Sequence, residues 1–238
     1  MDQNITLGRF LAGSGWVSDG INSAEMATIE TFASISSADI ELGAGLTDLE
    51  WLRDSTVSAQ TKDFWLRSFL DVATFPNVSV LMASLPWVLE GHTSDRRVAQ
   101  RNLALIAQND GAFLEGLLEL PWVRYDISSD EAVAIQEIVE LRSDTTQSLL
   151  ENAWFLDDLT LAESTLILRL ATISGVEPDL PPVLLDLEWT KDGISENDKL
   201  AISLLASLDQ PTAGIVATVS WFITAPVEDQ DINLLEAI

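Results

Sequence analysis

Cysteine is absent from all 238 residues, which removes disulfide frameworks, thiolate metal sites and cysteine nucleophiles together. Histidine occurs once, at His92. A lone imidazole gives a transition metal little to bind, and His92 reads as a turn residue. Glycine-rich phosphate loops and the G-x-S-x-G nucleophile elbow are missing too. Basic residues are scarce: 12 Lys and Arg stand against 38 Asp and Glu, for a formal charge of -26. Such a surface repels phosphates and anionic head groups, so neither nucleic acid nor a membrane surface is expected as a partner. A protein or a basic peptide is. The same charge opposes compaction until salt screens it, which points to an extracellular or cell-envelope setting, or to the cytoplasm of a salt-rich cell. Long apolar runs are interrupted. The uncharged stretches Val72 to Leu89 and Gln210 to Val227 contain prolines, and spanning a bilayer takes roughly 20 apolar residues, so both read as buried helices. The opening MDQNITLGRF lacks the basic region and apolar core of a signal peptide.

Apolar residues make up 47%, enough for a substantial core. Tryptophan carries the pattern. Trp16, Trp51, Trp87, Trp122, Trp154, Trp189 and Trp221 are separated by 35, 36, 35, 32, 35 and 32 positions, with only Trp65 outside the series. The same phrase surrounds them: "GWVSDGINSAE", "PWVLEGHTSDR", "PWVRYDISSDE", "AWFLDDLTLAE", "EWTKDGISEND". Six positions after Trp stand Asn22, Thr93, Ser128, Thr160 and Ser195, residues that cap helix N-termini. Three further on, Glu25, Glu131 and Glu163 complete capping boxes, with Asp198 as a shorter substitute. Arg96 breaks this pattern, as does Val57 at the corresponding cap of the second unit. Met26, Ile29, Phe32 and Ile35 form one helical stripe; Ala132, Ile135, Ile138 and Val139 form another. A second, more uniformly apolar helix precedes each Trp, as in Asp110 to Leu120 and Glu177 to Leu187, with Asp110 and Asp179 as caps. Pro86 and Pro121 end that helix, Trp fills the corner behind it, and Gly20, Gly91 and Gly193 supply left-handed turn residues.

These signals predict an all-α chain: an α-solenoid of about six helical-hairpin repeats of ~32–36 residues in one repeat domain over 1–238. Units begin near 16, 51, 87, 122, 154, 189 and 221, the last incomplete, and the chain reads as a segment of a longer one. The seven serial tryptophans are structural positions. The phrase Leu-Pro-Trp-Val followed by an acidic turn, a Ser/Thr cap and a Glu, best matched at Leu85-Pro86-Trp87 and Leu120-Pro121-Trp122, resembles helical-hairpin repeat arrays of large bacterial proteins. That resemblance implies a solenoid akin in architecture to HEAT and tetratricopeptide arrays, sometimes attached to a metallopeptidase-like domain carrying HExxH; it is not a true tetratricopeptide repeat, whose small-residue pattern is missing. With one histidine, no catalytic residue carries over.

No catalytic, cofactor-binding or metal residues are therefore expected. The remaining chemistry lies in acids: the pairs Asp157-Asp158, Asp130-Glu131 and Glu228-Asp229, and the turn row Asp19, Glu90, Asp157 and Asp192. Acids favour helix N-termini for dipole reasons, and beyond that role they offer at most weak divalent-cation binding. Arg96, Arg97 and Arg101 form the one basic spot, expected to pair with neighbouring acids. Asn4-Ile5-Thr6 and Asn77-Val78-Ser79 match the glycosylation pattern. The expectation is a non-catalytic interaction or spacer module. Its alternatives are a regulatory domain of a hydrolase and a halophilic scaffold.

Overall fold

The computed structural model describes residues 3–17, 20–90, 93–191, 194–205, 207–208, 210–217, 219, 222 and 227–237. Every regular element among them is helical, and none is a strand. The chain divides into two compact units. The first comprises Met1–Glu119 with Val123–Ser128, the second Leu120–Trp122 with Ser129–Ile238.

In the first unit α1 (Gln3–Gly13) and a 3-10 turn (Gly15–Val17) lead to α2 (Ser23–Ala38), α3 (Ile40–Leu46) and α4 (Glu50–Arg53). The order of long, shorter and very short helix then recurs in α5 (Ala59–Val72), α6 (Pro76–Ser84) and α7 (Pro86–Glu90). α8 (Ser94–Asn109) and α9 (Gly111–Glu119) follow in the same order, and the residues of α10 (Pro121–Arg124) are divided between the two units. Like packs with like: α2 lies on α5 and α5 on α8, while α3, α6 and α9 form a second row and α4 meets α7. In the second unit come α11 (Ser129–Ile138), α12 (Ser143–Leu150), α13 (Ala153–Leu156), α14 (Leu161–Val176), α15 (Leu180–Leu185) and α16 (Glu188–Lys191). α17 (Glu196–Leu205), α18 (Gln210–Val216) and α19 (Asp229–Glu236) complete it. There α11 packs on α14, α14 on α17 and α17 on α19, with α12 against α15.

The caps explain where the long helices begin. Asn22 accepts from the Ala24 and Glu25 amides while the Glu25 carboxylate accepts from the Asn22 amide, and Thr160 and Glu163 reproduce that box. Ser195 and Asp198 exchange the same two bonds, at 3.2 and 2.9 Å. Thr93 caps α8. In the second unit of the sequence series the cap is Ser58, whose hydroxyl accepts from the Thr61 amide, so one extra turn residue explains why Val57 breaks the pattern. A further box, Glu228 with Asp231, opens α19. Asp110 caps α9 by accepting from the Phe113 amide. Asp179 does not cap; its carboxylate takes Arg142 Nη1 at 2.7 Å. The α2 stripe is also shifted. Phe32 and Ile35 are buried, Met26 is exposed, and Thr28 and Thr31 face inward, where their hydroxyls reach the Ala59 carbonyl and the Asp63 carboxylate.

The first apolar run is divided between helices. Residues 72–89 end α5, form α6 and most of α7, and no described helix is long and apolar enough to cross a membrane. Gly20 adopts φ +107°, as the turn reading requires; Gly91 and Gly193 lie outside the described residues.

Candidate functional site

Among the described residues the serial tryptophans sit in the 3-10 turn and the short helices, immediately behind Pro86 and Pro121 in α7 and α10, where proline suits a first helical turn. Trp16, Trp51, Trp87, Trp122, Trp154 and Trp189 are all buried. Trp221 lies outside the described residues. What these indoles do is specific. Trp16 Nε1 donates to the Leu52 carbonyl at 2.9 Å, Trp51 to Val88 at 2.9 Å, and Trp87 to Val123 at 2.7 Å. In the second unit Trp122 donates to the Phe155 carbonyl at 2.9 Å, and Trp189 donates to that of Phe222. Each acceptor is the residue directly after the next tryptophan of the series. One indole therefore fills a corner and also satisfies a buried carbonyl about one interval further along the chain, a bond worth roughly 1 kcal/mol beyond the packing. Phe155 and Phe222 add ring contacts to their donors, edge-on at 5.6 and 5.4 Å.

Trp154 departs from this arrangement: its Nε1 is buried without a hydrogen-bond partner. The corresponding acceptor residue is Thr190, the only polar residue among those following a serial tryptophan. Its hydroxyl donates back into the preceding turn, 2.7 Å from the Leu187 carbonyl. Trp65, outside the series, belongs to α5 and packs edge-on against Trp51 at 4.8 Å.

A second constellation escaped the sequence. Lys62, at the fourth position of α5, is 1% exposed. Its Nζ donates to the Asp54 carbonyl at 2.6 Å and sits 4.7 Å from the centroid of the Trp16 ring. Burial pulls this amine down to about 8, against the opposing pull of the Asp54 and Glu25 carboxylates. A cavity of ≈ 290 Å³ lies beside it, lined by Trp16, Glu25 and Val57 and by the exposed residues Asn22, Ser55, Ser58 and Gln60. The α2 and α5 caps place these groups around one corner. The signal in sequence was faint, a lysine one turn after a serine cap, and lysine ordinarily reads as a solvated residue.

The acids are dispersed. Asp130, Asp157, Asp158, Glu228 and Asp229 are exposed and Glu131 is buried in α11. Asp19, Asp192 and His92 lie outside the described residues, and Glu90 is exposed, 3.9 Å from Arg96. Among the described residues no group of three or more acidic or histidine side chains forms a metal-holding cluster. Arg96 pairs with Asp126 at 2.7 Å. Burial pushes the Asp126 carboxyl up, but the bonds from Arg96 and the Ile127 amide, with the Arg96 charge, hold it below its ordinary value. Arg101 is exposed, and Arg97 Nε is buried without a hydrogen-bond partner. In the second glycosylation pattern Ser79 is fully buried and donates to Asp39 at 3.0 Å, so that hydroxyl is committed to helix packing.

Compared with known proteins, the chain matches no family model, no curated protein and no solved structure.

Proposed function

We propose that this chain is an α-solenoid of about six repeats of ~32–36 residues, and that it serves as a non-catalytic interaction or spacer module for a basic peptide or protein. The observation that carries the reading is the run of indole-to-carbonyl bonds, whose partners stand 36, 37, 36, 33 and 33 positions apart. Bonds at that interval, made by every described serial tryptophan except Trp154, would tie one two-helix layer to the next, which is how a solenoid holds together. Layers built this way bury their tryptophans as struts and leave polar outer faces for contact. The formal charge of -26 selects a cationic partner and keeps anionic ones away.

Fluorescence anisotropy with a labelled lysine-rich peptide and a glutamate-rich peptide of equal length tests the partner class. Saturable one-to-one binding of the lysine-rich peptide, weakened at least several-fold between low and physiological salt, is the expected result. Failure of the lysine-rich peptide to bind at low salt, or equal binding of both peptides, overturns the proposal.

A further inference from the structure

We propose that the cavity at the C-terminal ends of α6 and α9 is a binding site for a free amino acid with an apolar side chain, held through its own ammonium and carboxylate groups. Every residue lining this cavity belongs to the first unit. It measures ≈ 260 Å³, below the roughly 300–1,000 Å³ of sites for drug-sized ligands, which suits a molecule of amino-acid size. Leu85 and Leu118, both buried, and the half-buried Leu81 and Pro86 give it an apolar wall. Tyr125, the only tyrosine of the chain, joins that lining at 68% exposure. A large ring left uncovered beside an apolar wall offers a ligand further contact area.

Two charged residues of the lining, Glu119 and Arg124, select the ligand's charge. Both are exposed, and Arg124 Nη1 donates to Glu119 Oε2 at 2.8 Å. That bond uses one nitrogen and one oxygen, leaving the other guanidinium N–H groups and Oε1 for a ligand. The α-carboxylate and α-ammonium of one amino acid stand side by side, so they match a cation and an anion that are themselves adjacent. The ends of two helices add to the pull of Glu119, because helix C-termini favour a positive group. Ligands of a single charge fare worse: a cationic peptide meets Arg124, and an anion meets Glu119 in a chain of formal charge -26. An exposed ion pair contributes little to folding, so this one can open toward a ligand at small cost.

Tyr125 is its own reporter, since no second tyrosine overlaps its ring signals in an NMR spectrum. Titration of the native chain with L-leucine should shift those signals saturably, with half-saturation below about 10 mM. Leucinamide lacks the carboxylate, N-acetyl-leucine the ammonium and glycine the side chain; each should bind roughly tenfold more weakly or worse. Arg124→Gln should weaken L-leucine to the level of leucinamide and leave leucinamide unchanged. Its thermal melt should stay that of the native chain, because the side chain is half exposed. Absence of a saturable shift with L-leucine overturns the assignment. So does binding of any of the three analogues as tightly as leucine, or an Arg124→Gln variant that binds leucine as the native chain does.

Discussion

Lys62 shows how burial reverses what a side chain ordinarily does. Its folded amine titrates near 8 against 10.5 for an ordinary lysine, so the unfolded chain holds the proton more tightly between those values. Below pH 8 the charged amine destabilises the folded state. As pH rises from 8 to 10.5 that penalty disappears, because the unfolded chain loses its proton too. Lys62→Met removes the effect. The stability of the variant relative to the native chain should therefore fall by about 1–3 kcal/mol between pH 7 and pH 10.5 in urea denaturation. All other titrating groups cancel in that difference. An unchanged difference at the two pH values would mean that the amine is solvated.

Glycine gives a test at the scale of one helix. Gly43 and Gly45 lie two positions apart in α3, yet their surroundings are opposite. A Cβ on Gly43 would stand 2.3 Å from Ser36 Oγ and 2.9 Å from Ser36 Cα, where α3 presses on α2; a Cβ on Gly45 meets nothing within 4 Å. Alanine is intrinsically the better helix former by about 1 kcal/mol, so Gly45→Ala should stabilise by up to that amount. Gly43→Ala should lose about 1–3 kcal/mol, because the backbone of α2 must move. Thermal melts of the two variants check this, and equal shifts would refute the close approach.

At this same scale the sequence was legible where local chemistry sets the outcome. Asn22, Thr93 and Thr160 announce helix starts, since a cap acts within three residues of itself. The long and shorter helices follow from those caps and from Pro76 at the start of α6. Less legible were the four- and five-residue helices holding the tryptophans, because a proline marks the end of one helix and the start of another equally well. The Ser58 cap was displaced by one extra turn residue. Asp179 looked like a cap until Arg142, 37 positions away, claimed it. Lys62 was invisible because its burial depends on Trp16, a neighbour brought in by folding.

For the molecule as a whole, the spacing of the tryptophans was legible, but not the atom each one bonds. A backbone carbonyl has no sequence signature. Outside the pairs of Arg96 and Asp63, the ion pairs among the described residues join exposed side chains, with Arg53 and Asp48 at 48% and 79% as one example, and such pairs contribute little in water. Cohesion in a chain of formal charge -26 therefore rests on apolar burial and on the indole bonds that accompany it. Hydrogen exchange of the indole N–H groups, followed by NMR and assigned with single Trp→Phe variants, tests this most directly. The five donors Trp16, Trp51, Trp87, Trp122 and Trp189 should exchange slowly, at rates set by opening of the surrounding structure, and Trp154 should exchange markedly faster than they do. Rapid exchange at all six positions, or Trp154 as protected as the rest, would contradict the claim that indole-to-carbonyl bonds fasten successive layers.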